Sequence, residues 1–456
     1  MTTLRDRFPW TAATARLLWI DARRRRRVLV LFALAVLLFL ALHAGVSAWT
    51  ARRLSAAADG IVARRGSLEL TSVAGPERIS NANNRAKALR AATDLVVLDE
   101  EPPGPQADTA VIGRLGQFDA GQPDEESWNR SAAILEKNAL ALALLDEAAR
   151  RSGSNWEIPY REGVSVRLPP LLGLAQVSKL NVAAGRLELR RGHPDAAVAI
   201  ALRGFVIVES LRDEPILLVQ LIRGSVLRSH LGLVREILAS RALDDERLAA
   251  LSAAVEGIEV RGPLEESVVW EMRAMRDALL TADFGRVPEG DGPWITLTAL
   301  RWLLRPVIQE NLRHYIVAMD GFASRTGLPP HRRDAAGAPA LQDDGGWLHF
   351  LSRIAMVEDE SVVDRGDVWD AARTLALTAL ALERWSRDRG TYPERLEQLV
   401  PGALDALPVD PFTGELPRYE RTDSGFTLSS AGADVEARAF PGSTRVLRWE
   451  KRATAS

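Results

Sequence analysis

Glu310 and His314 are the two side chains whose types and spacing best suit chemistry. They are four residues apart in a segment with helical periodicity, so they would lie one turn apart on the same helix face. A carboxylate and an imidazole placed in this way could exchange protons with a substrate, as general acid–base catalysis requires. A membrane-anchored hydrolase therefore stays open, with a site assembled from dispersed acids or from His314 and Glu310. In the competing interpretation His314, like His230, is a partly buried structural residue.

A second acid pair, Glu209 and Asp213, is also spaced by one helical turn. Two facing carboxylates raise each other's pKa, which would suit acid–base chemistry. The alternative is that one helix ends here and that Asp213 or Glu214 caps the next. The remaining acid pairs are neighbours in sequence. Neighbours diverge on a helix and predict solvated faces or caps, as at Glu265-Glu266, Asp343-Asp344 and Glu358-Asp359-Glu360.

The sequence lacks the short motifs that hold a metal, a phosphate or a catalytic serine, such as HExxH, GxxxxGK[ST] and GxSxG. The histidines are scattered, at positions 43, 193, 230, 314, 331 and 349. His331 is predicted to be a solvated loop residue, and His43 to lie near the outer membrane interface. The chain has no cysteine, which excludes disulfides, thiol catalysis and thiolate metal sites. We therefore predict no catalytic residue, no cofactor and no metal ligand.

The element that organises the chain is the apolar segment of residues 28–49, which has 22 residues without a formal charge. At about 1.5 Å per residue it would span roughly 33 Å as a helix, enough to cross a bilayer core. Eight arginines and two acids precede it in residues 1–27. Because basic residues stay in the cytoplasm, we predict an inner-membrane protein with a cytoplasmic N-terminus and an extracytoplasmic chain over residues 50–456.

Two other interpretations of this segment stay open. Val46-Ser47-Ala48 has the small-residue pattern of a signal-peptidase site, although the apolar run is longer than in most cleaved signal peptides. A core helix of a soluble protein would also be apolar, but this run has no polar face.

Composition predicts a folded body after the anchor and argues against nucleic-acid binding. The chain has 456 residues, of which 47% are hydrophobic and 26% charged, enough for one large or two medium domains. Outside residues 1–27 there are 50 basic and 58 acidic residues, a net charge of −8. An acidic body of this kind does not attract nucleic acid.

Apolar periodicity and turn residues predict a mainly helical chain. The expected helices span 51–65, 81–98, 128–151, 171–191, 196–211, 216–240, 245–255, 263–282, 294–323 and 368–387. Asp124 or Ser127, Asp244 or Asp245, and Asp367 are the expected N-caps. Residues 183–205 resemble one helix-turn-helix of a tetratricopeptide repeat, and the alternative is an ordinary antiparallel helix pair.

The C-terminal part changes character after residue 389 and predicts a small sheet. The expected strands are 416–421 and 425–430, which form a hairpin, and 444–449. About 70 residues here carry a recurring order of turn and apolar residues. They include the helix from Leu375 to Trp385, Gly390-Thr391-Tyr392-Pro393, Leu396, Leu399-Val400-Pro401, Leu407-Pro408, Asp410-Pro411-Phe412, Gly414, Tyr419, Phe426 and Ser430-Ala431-Gly432-Ala433-Asp434.

This segment resembles the C-terminal region of the major pseudopilin of type II secretion. The resemblance implies a secretion or pilus-like context and a calcium loop near Asp434. The alternative makes Asp410 and Asp434 turn residues that bond their own backbone. Unlike a pseudopilin, the chain has no glutamate in its apolar helix. The whole layout also resembles poorly characterised single-pass proteins of the bacterial envelope.

Together these features predict a mainly α protein with a transmembrane helix, an extracytoplasmic helical bundle or short α-solenoid, and a small α+β C-terminal unit with an antiparallel hairpin. We expect a non-catalytic envelope scaffold that contacts the bilayer through residues 28–49 and binds other envelope proteins, not nucleic acid. A membrane-anchored hydrolase is the alternative. The expected divisions are 1–27 cytoplasmic, 28–49 transmembrane, 50–127 stalk and irregular region, 128–324 helical domain, 325–346 linker or long loop, and 347–456 pseudopilin-like unit.

Overall fold

The structure is a computed structural model that describes residues 22–73, 79–101, 104–118, 121, 123–240, 243–281, 294–333, 349, 360–423, 425–441 and 446–451. It is mainly helical, with a small antiparallel sheet near the C-terminus, and this part of the predicted fold class is confirmed. The helices are α1 Ala22–Arg65, α2 Arg85–Asp94, α3 Asp108–Leu115, α4 Glu125–Lys137, α5 Ala139–Arg150, α6 Leu171–Arg190, α7 Pro194–Ser210, α8 Leu217–Ser240, α9 Asp245–Glu256, α10 Arg261–Thr281, α11 Trp294–Gly327, α12 Pro330–Arg333, α13 Glu360–Arg389 and α14 Ala433–Ala439. The strands are β1 Arg418–Thr422, β2 Gly425–Ser429 and β3 Arg448–Lys451.

The chain divides into two compact units. The first consists of residues 1–64, 282–314 and 345–354, and the second of residues 65–281, 315–344 and 355–456. The second unit therefore holds segments from both sides of the predicted linker at 325–346. The linker itself is described only up to residue 333: α11 ends at Gly327 and α12 spans Pro330–Arg333.

Helix α1 runs without a break from Ala22 to Arg65, so the helix predicted over 51–65 is present and continues the apolar helix. Two helices among the described residues are long and apolar enough to cross a membrane. One lies within Arg24–Ser72 and has only 6% of its most apolar window buried, whereas Leu217–Ser240 has 72% buried. Burial identifies the second, α8, as a core helix.

The core of the second unit is built around α6, α7 and α8, which pack against one another. The turn between α6 and α7 uses Gly192 at φ +81°, and His193 N donates to Glu188 O at 2.9 Å. Gly204 of α7 lies against the buried ring of His230 in α8, where a Cβ atom would come within 2.0 Å of Nε2. A pair of helices over 183–205, which both interpretations of this segment require, is thus present, and Gly204 lets α7 approach α8 closely because glycine has no side chain.

The C-terminal sheet has the strand order β1-β2-β3 and is antiparallel throughout. Tyr419 pairs with Leu428 in the first ladder, and Leu428 pairs with Trp449 in the second. Leu428 and Trp449 are buried in the core that also receives α13. The predicted hairpin and third strand are therefore confirmed, with the third strand beginning at Arg448.

Among the helix boundaries that differ from the sequence prediction are those near Asn138 and Asp367. The helix expected over 128–151 is divided at Asn138, whose side chain binds Val97 N at 2.8 Å and Val97 O at 2.9 Å. Asp367 is not an N-cap, because α13 extends from Glu360 and contains it. The side chain of Asp367 is only 2% exposed and accepts hydrogen bonds from Arg333 at 2.6 Å and Arg261 at 3.0 Å. Asp124 and Asp244 do cap α4 and α9, as predicted.

Candidate interaction groove

A groove in the second unit has a volume of about 780 Å³ and lies among α4, α5, α6 and α7. Two of these helices contribute side chains at the same spacing. From α6 come Ala184, Leu187 and Glu188, followed by Arg191 just after the helix end, and from α7 come Ala196, Ala199, Ile200 and Arg203. Positions i, i+3, i+4 and i+7 share one helix face, so each helix presents a continuous stripe to the groove.

Alanine forms much of the groove floor, and this keeps the groove open. Ala132 and Ala133 of α4 join the alanines of α6 and α7. Ala133 and Ala199 are exposed. A small apolar side chain leaves room for a partner's side chain and still removes apolar surface from water when it is covered.

One wall of the groove is connected to the core by a chain of polar contacts. Arg203 bonds to Asp146 of α5 at 2.9 Å and to Asn181 Oδ1 at 2.5 Å. Asn181 Nδ2 in turn lies 3.1 Å from His230 Nε2, and His230 Nδ1 lies 2.9 Å from Val226 O. A carbonyl only accepts, so Nδ1 carries the proton and Nε2 accepts from Asn181.

Burial keeps His230 neutral. Desolvation lowers the pKa of His230 to about 4, because a charged imidazolium has no water around it. The neutral ring matches the donor and acceptor that surround it. The prediction that His230 is a structural helical residue is therefore confirmed.

Glu188 and Arg191 also line the groove, and His193 contacts Glu188 from outside the lining. Glu188 accepts hydrogen bonds from both Arg191 and His193 at 2.8 Å. Partial burial favours the neutral acid. The two hydrogen bonds nevertheless outweigh it and hold the pKa of Glu188 below its ordinary value. Glu188 and Arg191 thus neutralise each other in the free protein.

Glu136 is the remaining charge of the groove. Its side chain is exposed at the C-terminal part of α4, and it has no hydrogen-bond or ion-pair partner among the described residues. The groove therefore combines an alanine floor, two internally paired cations and one carboxylate available to a partner.

The acid–base candidates of the sequence lie in the first unit and are partly brought together. The rings of His314 and His349 stack with centroids 4.2 Å apart, and His349 Nε2 lies 3.9 Å from Glu310 Oε1. Glu310 also accepts from Arg313 at 2.6 Å and from Arg53 at 3.3 Å. Burial favours the neutral acid, but these arginines outweigh it and keep the pKa of Glu310 below its ordinary value. A carboxylate held in its charged form by two arginines is a weak proton acceptor.

The other acid pairs do not form joint sites in the described structure. Glu209 bonds to Arg223 at 3.4 Å, whereas Asp213 is exposed in the turn after α7. Glu265 and Glu266 diverge as expected, towards Arg65 at 2.7 Å and Arg273 at 2.8 Å. Of the remaining acids, Glu360 lies 3.2 Å from Arg325, and Asp343, Asp344, Glu358 and Asp359 lie outside the described residues.

The prediction that His331 is a solvated loop residue is wrong. His331 is half-buried in α12, and its Nδ1 lies 2.8 Å from Pro411 O.

Asp410, one of the two predicted turn aspartates, behaves as the turn interpretation expects. It accepts hydrogen bonds from Phe412 N at 3.0 Å, Ser430 Oγ at 2.9 Å and Ala431 N at 2.9 Å. These bonds make Asp410 a backbone-bonding turn residue.

Sequence reasoning missed the buried acid Glu214, considering it only as a helix cap. Glu214 is 2% exposed and accepts a hydrogen bond from the hydroxyl of Tyr160. Desolvation raises the pKa of Glu214 to about 7. Its sequence position, between a helix end and Pro215, gives no sign of burial, because Tyr160 is 54 residues away.

Comparison with models of known protein families, with curated proteins and with solved structures finds no match to this chain. The interpretation of the groove therefore depends on its own geometry.

Proposed function

We propose that the protein is a single-pass bacterial inner-membrane protein that acts as a non-catalytic envelope scaffold. Residues 28–49 anchor it, its N-terminus is cytoplasmic, and the second unit is extracytoplasmic. The single observation that supports an interaction role is the groove among α4, α5, α6 and α7. Paired helices with small residues on a shared face are a common way to build a concave surface for a protein partner.

The groove favours a segment of another envelope protein that has a small apolar face and one cation. The alanine floor accepts the apolar face, and the carboxylate of Glu136 would receive the cation. Glu188 and Arg203 already have partners within the protein, so they contribute to the shape of the groove but offer no unpaired charge to a bound protein.

Site-specific crosslinking tests this proposal. A photo-crosslinking residue at Ala199 in intact cells should capture an envelope protein, identified by mass spectrometry. The matched control is Ala253, an exposed alanine of α9 outside the groove. The substitution Ala199→Trp fills the groove and should abolish copurification of the captured protein, whereas Ala253→Trp should leave it unchanged. Equal capture from both positions, or binding that survives A199W, would contradict the proposal.

Charge reversal tests the proposed contact of Glu136. In a binding assay with the captured protein, Glu136→Lys should weaken affinity by about tenfold or more, the effect of losing roughly 1.4 kcal/mol of favourable contact. Glu246→Lys, at an exposed position of α9, is the control and should change affinity little. An unchanged affinity for E136K would remove Glu136 from the interface.

A second candidate function is hydrolysis near the membrane, favoured by the convergence of Glu310, His314 and His349. Its test is the loss of a measurable activity in His349→Ala and His314→Ala, with A199W as the control that leaves the activity intact. The arginines that bind Glu310 make this the weaker candidate.

The pseudopilin resemblance stays a prediction. It would be supported if the protein associated with pilin-like subunits through residues 347–456.

A further inference from the structure

Trp302 of α11 packs directly against the apolar part of α1, within the first unit. Its ring lies 3.8 Å from the ring of His43, centroid to centroid, and 6.4 Å from the ring of Phe39. His43 is only 9% exposed, although the residues around it in α1 are mostly exposed. The apolar helix therefore has a partner on one side.

Further contacts between α1 and α11 follow, with residue numbers that increase along both helices. His43 Nε2 lies 3.3 Å from Leu303 O, and Thr50 Oγ1 donates to Gln309 Oε1 at 2.7 Å. Arg53 bonds to Glu310 at 3.3 Å. Residues 302–310 thus lie alongside residues 39–53, and residue 302 is at the depth of residues that the anchoring proposal places inside the bilayer.

Pro306 lies close to the contact between His43 and α11. Proline has no amide hydrogen, so the carbonyl of Trp302, four residues earlier, lacks its usual helical donor. In an apolar surrounding a carbonyl without a donor is costly, and a side chain of a neighbouring helix commonly supplies one. His43 Nε2 lies 3.3 Å from the next carbonyl of α11, that of Leu303.

The face of α11 next to this contact is apolar and exposed. Leu300, Trp302, Leu303 and Leu304 are 49%, 41%, 45% and 40% exposed. Leu38 and Leu42 of α1, on either side of Phe39, are 70% and 65% exposed. Large apolar side chains that are exposed together mark a surface covered by lipid or protein.

We propose that residues 300–306 enter the outer leaflet beside α1, so that the protein has a second membrane-embedded element next to the anchor. This inference rests on the proposed membrane anchoring. Lipid is the occupant that the structure favours, because the exposed face continues that of a helix apolar enough to cross a bilayer. Arg305 is exposed, and an arginine side chain beside this apolar face can extend to lipid phosphates.

The chain has no cysteine, so single-cysteine labelling of the full-length protein tests the proposal directly. An NBD fluorophore would be attached to Leu300→Cys or Leu304→Cys in vesicles of phosphatidylethanolamine and phosphatidylglycerol that contain nitroxide-labelled phosphatidylcholine. Leu38→Cys reports on the anchor, and Leu172→Cys, at a position 73% exposed in the second unit, reports on water. We expect L300C and L304C to show the blue-shifted emission and nitroxide quenching of L38C, and L172C to show neither.

The controls separate the two proposals. If L38C is quenched but L300C and L304C are not, the second membrane-embedded element is disproved while the anchor stands. If L38C is itself unquenched, the anchoring proposal fails. A blue shift at L300C and L304C without nitroxide quenching would show that protein, such as a second copy, covers this face, and would also overturn the inference.

Discussion

Glu214 shows how one buried residue makes stability depend on pH. Desolvation raises its pKa in the folded protein to about 7, from an ordinary value of 4.5. The folded state therefore binds a proton more tightly than the unfolded state. The stabilisation is fully present below pH 4.5 and is lost as pH rises through about 7. The full effect is about 3 kcal/mol, from about 1.4 kcal/mol per pKa unit.

The substitution Glu214→Gln should remove this dependence. Glutamine is neutral at every pH and keeps an oxygen that accepts from the hydroxyl of Tyr160. We expect E214Q to match the wild type near pH 4.5 and to exceed its free energy of unfolding by up to about 3 kcal/mol at pH 8. Urea denaturation of the detergent-solubilised protein from pH 4.5 to 8 measures the difference. Glu246→Gln, at an exposed position, is the control, and a difference between E214Q and wild type that does not vary with pH would refute the assignment.

Asp367 is a second residue whose role is set by burial. A helix cap contributes about 1 kcal/mol, whereas removing one partner of a buried ion pair costs about 3 to 5 kcal/mol. Because Arg261 and Arg333 both bind Asp367, we expect Asp367→Ala to lower the free energy of unfolding by about 3 kcal/mol or more.

The matched control for this prediction is Asp364→Ala in the same helix. Asp364 bonds to Arg438, whose side chain is 60% exposed, so its loss should cost less than about 1 kcal/mol. Equal small losses for D367A and D364A in urea denaturation would mean that the buried pair contributes no more than a surface pair.

At the scale of elements, the packing of α7 on α8 depends on Gly204. A Cβ atom there would come within 2.0 Å of the buried ring of His230, which cannot move without losing its bonds to Asn181 and Val226. Overpacking of this kind typically costs about 1 to 3 kcal/mol. We therefore expect Gly204→Ala to destabilise the protein by that amount in thermal or urea unfolding.

Gly113 of α3 provides the comparison, because nothing lies within 4 Å of the position of its Cβ. Gly113→Ala should be neutral or stabilising by up to about 1 kcal/mol. The double variant Gly204→Ala with His230→Ala should lose less than the two single losses combined. A stable G204A protein would show that α7 and α8 are not held at this distance.

Helix boundaries could be predicted where the contacts that set them are close in sequence. Asp124 and Asp244 cap α4 and α9 through contacts only three residues away, so the local sequence contains them. Asn138 divides α4 from α5 because it binds Val97, 41 residues earlier, and nothing in the pattern of residues 128–151 records that contact.

At the scale of the whole molecule, the decisive prediction is topology. Protease added to spheroplasts should digest residues 50–456 and leave a short protected fragment that contains the anchor. A polypeptide that stays intact until the cells are lysed would contradict an extracytoplasmic body. An N-terminal tag distinguishes the anchor from a cleaved signal peptide, since cleavage near Val46-Ser47-Ala48 would separate the tag from the body.

The sequence by itself determined the elements whose signals are local. Periodicity, charge and turn residues that are close together in the chain predict these elements. They are the apolar segment of residues 28–49, the mainly helical fold, the caps at Asp124 and Asp244, and the C-terminal hairpin. Only the tertiary structure decided which of these elements meet. The groove needs side chains from four helices. Glu214 contacts Tyr160, which is 54 residues away in sequence, and Trp302 contacts His43, which is still further away in sequence. Such contacts depend on how faces pack, and burial then changes the chemistry of the side chains that form them.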